Sequence, residues 1–145
     1  TNQQLAGDVC ADTTSSLNLY LLNGSTWSGS ASIEDNVNGA TSSVPLSVNV
    51  DGSSTWTVTS DAHLSALGVA TGGSIVDTDG NTVTVVAGGQ TVVQGTSSVT
   101  VTVDGDYTSD FVMSSANELA SETYDRSAFD EYFGTSTAWT MGQVA

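Results

Sequence analysis

The residues from Asp77 to Asn81 carry oxygen-bearing side chains at alternate positions around a glycine. Their order, Asp77-Thr78-Asp79-Gly80-Asn81, matches the opening of a calcium loop, in which carboxylate and amide oxygens bind the ion. Position 12 of such a loop holds a bidentate carboxylate, whereas this sequence has Gly88 there. Because Asp-Gly and Gly-Asn pairs also form turns, the segment indicates either a possible calcium site at Asp77, Asp79 and Asn81 or a plain turn.

Three aromatic residues could contact sugars, because a Tyr or Trp exposed on a flat β face can stack on a sugar ring. The candidates for carbohydrate binding are Tyr20, Trp27 and Trp56. Trp56 shares its strand parity with Val58, which favours an inward position, and Trp27 would then stack with it as an interior ladder. Tyr20 has the opposite parity to the leucines beside it, so we expect Tyr20 to be the more exposed platform.

The sequence contains few residue patterns that are typical of a catalytic site. We therefore predict no catalytic residue and no enzyme. A glycosidase carboxylate pair could come from Asp77 with Asp79 or from Asp104 with Asp106, but Asp is also expected beside a turn glycine. A second acidic cluster, at Asp104, Asp106 and Asp110, could bind calcium. His63 follows an aspartate by two residues, yet no serine has the glycine pattern of a nucleophile elbow. One His and one Cys are too few ligands for zinc.

The composition excludes several classes of function. The 145 residues include 16 Asp and Glu, a single Arg and no Lys, which gives a net charge of -15. One basic side chain cannot neutralise several phosphates, so binding to nucleic acid or to an anionic membrane surface is close to excluded. No run of about 18 apolar residues is present, which argues against membrane insertion. The 22 Ser, 21 Thr and 15 Gly residues are typical of an extracellular, cell-surface β-rich protein.

Alternation of apolar and polar residues dominates from residue 15 to about residue 103 and predicts half-buried strands. The strands end at Gly-containing turn signals, which are Asn23-Gly24, Asp51-Gly52, Gly88-Gly89 and Asp104-Gly105. The segments Leu17 to Trp27 and Leu46 to Trp56 are related and start 29 positions apart, and Ser98 to Tyr107 is a weaker echo. Such a repeat favours a short parallel β-solenoid over the alternative, a β-sandwich.

The tail has a different composition, so we predict a solenoid domain over residues 1–106 and a C-terminal cap or docking tail over residues 107–145. Ser115 and Ser127 could each begin a short helix. In the second helix, Phe129, Tyr132 and Phe133 would share one side. Cys10, the single cysteine, is expected to be buried as a small apolar residue, with a bridge between chains as the alternative.

The stretch from Gly7 to about Val85 resembles the C-terminal coils of secreted bacterial right-handed β-helix proteins described as carbohydrate-binding domain or adhesin-like surface proteins. The residues that carry the resemblance are Ser16 to Leu19, Asn23 to Gly29 and, above all, Gly52 to Leu67. The resemblance implies a right-handed β-helix, export, polysaccharide binding and possible calcium. The family's domain extends further at its N-terminal side, so we expect this chain to begin part-way along the helix.

Two functions follow as expectations. The first is a non-enzymatic, extracellular cell-surface module that binds or adheres to polysaccharide, as the resemblance implies. The second is a structural subunit that assembles head to tail with copies of itself into an extracellular filament, because a β-helix that begins abruptly exposes unpaired strand edges.

Overall fold

The computed structural model describes residues 2–39, 41–110 and 127–134. The chain divides into two compact units, residues 1–112 and 113–145. The described part of the first unit is all-β and built from parallel sheets, and that of the second unit contains one helix. The all-β prediction is therefore confirmed for the described part of the first unit.

Fourteen short strands make up the described part of the first unit. Their length and their Ser, Thr and Val content follow from the alternating pattern, which places every second side chain on the inner side. The strands are β1 (Gln4–Ala6), β2 (Val9–Asp12), β3 (Leu17–Leu21), β4 (Thr26–Ser28), β5 (Ala31–Glu34), β6 (Leu46–Val50), β7 (Thr55–Thr57), β8 (Ala62–Leu64), β9 (Ala66–Val69), β10 (Ser74–Val76), β11 (Thr84–Ala87), β12 (Gln90–Val93), β13 (Thr100–Val103) and β14 (Tyr107–Thr108).

The described strands form four separate sheets and do not close into one continuous solenoid. Sheet I has the order β1-β4-β7-β10, sheet II β14-β9-β6-β3, sheet III β2-β5 and sheet IV β12-β11-β13-β8. Each strand pair is parallel except β11 and β12, which form an antiparallel hairpin. Because a β-sandwich is built from antiparallel sheets, this pairing does not agree with the sandwich alternative.

The 29-residue repeat appears in the structure as strand register. Leu17 pairs with Leu46 in sheet II, and Trp27 pairs with Trp56 in sheet I. The weaker echo after Ser98 is not a third copy of the same kind, because β13 lies beside β8 in sheet IV and β9 takes the place next to β6. The likeness of Ser98 to Tyr107 to the two repeat segments reflects alternation followed by Asp-Gly, which strands of different sheets share.

The core lies between the sheets and consists of the inward-pointing residues of most strands. Its largest fully buried side chains are Trp27, Trp56, Leu46, Leu64, Leu67, Val48, Val50, Val58, Val83, Val85, Val101 and Val103. No buried side-chain nitrogen or oxygen lacks a hydrogen-bond partner in the described part of the chain. The prediction that Cys10 is buried is wrong: Cys10 is exposed, because its neighbours Val9 and Ala11 are the residues of β2 that pack inward.

The helix α1 (Ser127–Phe133) confirms the second predicted helix. It ends at Gly134, whose φ of 64° is the left-handed conformation common just after a helix. Tyr132 and Phe133 contact each other edge to face, with ring centroids 4.9 Å apart. The helix predicted after Ser115 lies outside the described residues, whereas the first residues of the predicted tail, Tyr107–Thr108, form β14.

Candidate functional site

Trp27 and Trp56 are core residues and offer no surface to a sugar. Both are 0% exposed, and their rings stack with centroids 4.6 Å apart and planes at 7°. Each indole Nε1 donates a hydrogen bond to a glycine carbonyl of the neighbouring segment, Trp27 to Gly7 at 2.8 Å and Trp56 to Gly29 at 2.9 Å. The interior-ladder interpretation is confirmed, and the assignment of these two residues to carbohydrate binding is wrong because strand parity turns them inward.

Tyr20 is half-buried on β3 and its neighbour across sheet II is Asn49. It lines a shallow groove with Leu5, Leu19 and Leu22. A half-buried phenol beside apolar side chains can still contact a sugar ring. Carbohydrate contact at Tyr20 therefore stays a prediction.

The segment from Asp77 to Asn81 is a turn in which the Asp77 carboxylate is hydrogen-bonded to groups of the same turn. One oxygen of Asp77 accepts hydrogen bonds from the backbone N–H groups of Asp79 and Asn81, each at 2.9 Å, and the other accepts one from the Asn81 side-chain amide at 3.3 Å. A hydrogen bond from the Ser97 side chain is the largest cause of a lowered Asp77 pKa. The side chains of Asp79 and Asn81 are exposed. These contacts do not fit a calcium cage, and the turn alternative describes Asp77, Asp79 and Asn81.

In the second acidic cluster, Asp104 and Asp110 have different hydrogen-bond partners. Asp104 Oδ2 lies 2.8 Å from His63 Nε2, whereas the backbone N–H of Asp110 is bonded to the Thr108 hydroxyl. Among the described residues, no group of three or more His, Cys, Asp and Glu side chains could hold a metal ion. The His63 to Asp104 contact joins residues 41 positions apart, so no local motif indicates it.

A half-open groove of about 630 Å³ lies on the described part of the first unit. We call it the His63 groove. Its polar lining comes from four separated segments: the end of β2, the loop after β5, strand β8 and the turn after β13. The main polar side chains are those of Thr13, Asp35, Ser42, Ser43, His63, Asp104 and Asp106.

Backbone hydrogen bonds fix the walls of the His63 groove. The N–H of Ser42 donates to the Thr13 carbonyl at 2.7 Å, which ties the loop after β5 to the end of β2. On the other side, Asp104 N–H donates to the Leu64 carbonyl at 2.9 Å, and Gly105 N–H to the Ser65 carbonyl at 2.9 Å. The groove is therefore held by the strands behind it rather than by exposed side chains alone.

The lining of the His63 groove combines hydroxyls, carboxylates and small apolar surfaces. Hydroxyls both donate and accept hydrogen bonds, and carboxylates only accept. Ile33, Val44 and Pro45 add apolar patches between them. Ligand sites commonly combine convergent polar groups with apolar walls, and a sugar, which has hydroxyl edges and C–H faces, matches both.

Two carboxylates beside the strand ends have pKa values well below their ordinary value of 3.8. Hydrogen bonds from the side chains of Thr14, Ser15 and Asn36 lower the pKa of Asp12 to about 2. At Asp51, burial raises the pKa, but hydrogen bonds from the backbone of Asn23 and Ser53 outweigh it and leave the pKa at about 2. Through its hydrogen bond with Asn36, Asp12 stabilises the loop after β5, which borders the His63 groove.

These shifts predict loss of stability in acid. A carboxyl group whose pKa is lower in the folded state stabilises the fold above its ordinary pKa, and that contribution is lost as the pH falls toward the folded value. We expect the free energy of unfolding, measured with urea, to decrease between pH 4 and pH 2. Asp51→Asn should be less stable at neutral pH and should flatten this dependence, whereas the charge-matched control Asp79→Asn should retain it. An unchanged slope in Asp51→Asn would contradict the assignment.

The described helix is too short and too polar to cross a bilayer. Comparison of the sequence with protein-family models, curated proteins and solved structures finds no match. The function of this chain is therefore inferred from its own geometry.

Proposed function

We propose that this chain is an exported, non-enzymatic cell-surface module that binds polysaccharide in the His63 groove. The groove supports the proposal because it is half open to solvent, holds about 630 Å³ and joins polar groups from four chain segments. An open groove can receive the middle of a long polymer, whereas an enclosed pocket accepts only a chain end.

The architecture we propose is a right-handed parallel β-helix. Support comes from the order of the strands: β3, β4 and β5 belong to sheets II, I and III. Each pairs in parallel with a strand of a neighbouring segment, at an offset of 29 positions for β3 with β6 and β4 with β7 and of 22 positions for β5 with β2. The stacked pair of Trp27 and Trp56 is the interior ladder expected of consecutive coils. The resemblance carried by Gly52 to Leu67 implies the same fold.

Export and surface location are supported by composition. The 43 Ser and Thr residues and the net charge of -15 keep a repetitive β surface soluble through like-charge repulsion. The exposed Asp, Glu, Ser and Thr side chains also oppose pairing between the edges of different molecules.

Calorimetric titration with a panel of soluble oligosaccharides tests this function. We expect one glycan class to bind, and Ser43→Trp to abolish binding because Ser43 is exposed in the His63 groove and an indole would fill it. Ser98→Trp is the matched control, since Ser98 is exposed and outside the groove. Binding that survives Ser43→Trp but is lost in Tyr20→Ala would place the site at Tyr20 instead. Release of no reducing ends would support the non-enzymatic role.

The filament alternative stays a prediction and faces one structural difficulty. At the outer edge of sheet IV, β12 runs antiparallel to β11, so a second copy would have to extend a mixed sheet there. The edges at β10 and β14 belong to purely parallel sheets. Light scattering separates the two functions: the polysaccharide module should remain near 14.7 kDa at all concentrations, whereas a filament subunit should grow with concentration.

A further inference from the structure

We infer that the glycan bound in the His63 groove is a cationic amino-sugar polymer, recognised through its ammonium groups by Asp104 and Asp106. This inference rests on the proposed function and adds the class of ligand. It follows from the excess of negative charge around the groove. The hydroxyls and apolar side chains of the lining do not by themselves distinguish one class of sugar from another.

The groove has more carboxylates than cations to pair with them. Asp35, Asp104 and Asp106 line it, and His63 is the only side chain in the described ranges that could carry a positive charge. Asp104 is bonded to His63, but the pair is open to solvent, with 44% of the His63 side chain and 61% of the Asp104 side chain exposed. A ligand can therefore reach Asp104 without disrupting the core.

The other two carboxylates have little or no internal compensation. Within the described residues, the Asp106 side chain makes no hydrogen bond or ion pair, and Asp35 accepts only a long hydrogen bond of 3.5 Å from the Thr13 hydroxyl. Asp106 and Asp104 flank Gly105 in one backbone-anchored turn. The Asp106 carboxylate and the Asp104 oxygen that does not face His63 are therefore available, on one turn, to a donor that enters the groove.

An ammonium group is the donor that best suits these acceptors. It carries three N–H donors and a positive charge, and hydrogen bonds between ionised partners are roughly twice as strong as neutral ones. The hydroxyl of Ser43 remains for the sugar's own hydroxyls, and that of Ser42, which accepts a hydrogen bond from the backbone N–H of Val44, can still donate one. The net charge of -15 attracts such a polymer and repels one built from uronic acids.

The test compares two oligosaccharides that share a backbone and differ in charge: the tetramer of glucosamine and the tetramer of N-acetylglucosamine, at mildly acidic pH. We expect the glucosamine tetramer to bind at least about tenfold more tightly, because charge-assisted hydrogen bonds are lost on acetylation. Asp106→Asn and Asp104→Asn should each weaken binding of the glucosamine tetramer about tenfold and leave the acetylated tetramer unchanged. Asp79→Asn changes the charge equally at an exposed turn outside the groove and should have an effect of less than about twofold.

Three outcomes would overturn the inference. Equal affinity for the two tetramers would remove the role of the ammonium group and leave polysaccharide binding intact. Equal weakening by all three Asp→Asn variants would show attraction to the overall charge rather than to Asp104 and Asp106. Binding of neither tetramer, together with binding of a neutral or acidic glycan that Ser43→Trp abolishes, would keep the groove and change the ligand class, whereas binding of no glycan at all would overturn the proposed function as well.

Discussion

Replacing Trp56 by alanine is expected to lower the free energy of unfolding by about 3–5 kcal/mol, the range for truncating a fully buried large aromatic. Trp56 is 0% exposed and stacks on Trp27 at 4.6 Å. Its removal would leave a cavity in the centre of sheet I and leave the Gly29 carbonyl without the indole donor that it accepts from. Both losses act on the same two neighbouring strands, β4 and β7.

Urea unfolding followed by circular dichroism measures this effect, and Trp56→Phe separates its two parts. Phenylalanine keeps most of the apolar contact but cannot donate to the Gly29 carbonyl, so we expect a smaller loss of about 1–3 kcal/mol. If Trp56 were a surface platform for sugar, Trp56→Ala would remove glycan binding with little change in stability. That result would contradict the interior position.

Strand positions and the tryptophan ladder could be predicted from the sequence because both depend on local parity. Leu46, Val48 and Val50 alternate with polar residues, and all three are fully buried. The 29-residue offset between Trp27 and Trp56 then fixed which strands would be neighbours. Information within a strand and one repeat length were sufficient for these features.

The His63 groove could not be predicted in the same way, because its parts are distant in sequence and carry no shared motif. His63 and Asp104 meet only because β13 lies beside β8, and the β11–β12 hairpin separates these two strands along the chain. The sequence presents Asp104-Gly105-Asp106 as a turn or calcium segment. Which surface the turn borders is decided by the order of strands in sheet IV, which alternation does not encode.

The place of the β11–β12 hairpin shows the same limit. Gly88 and Gly89, with φ of 56° and 79°, were recognisable as a tight turn. The sequence did not indicate that β12 would lie at the outer edge of sheet IV while β13 entered between β11 and β8. Non-local strand order is decided by packing of the whole unit rather than by a turn signal.

Gly29→Ala is the second substitution for which we expect a large effect, about 3 kcal/mol of destabilisation, at the upper end for overpacking. An added Cβ at Gly29 would lie 2.0 Å from the Gly7 carbonyl oxygen and 2.9 Å from the Trp27 Nε1 atom. The first of these atoms belongs to the backbone and cannot rotate away. It is also the acceptor for the Trp27 indole, so movement of Gly7 would break the hydrogen bond that orients the ladder.

The matched control for Gly29→Ala is Gly24→Ala, which isolates backbone strain from steric overlap. Gly24 has a φ of 75° and no atom within 4 Å of an added Cβ, so its cost is that of a left-handed alanine, about 1–2 kcal/mol. Gly29 does not have a positive φ, and its cost is therefore purely one of space between neighbouring backbones. Equal destabilisation of the two variants in urea unfolding would show that the approach of Gly29 to Gly7 does not constrain the fold. A clearly larger loss for Gly29→Ala would establish that sheet I requires a residue without a side chain where its first two strands end.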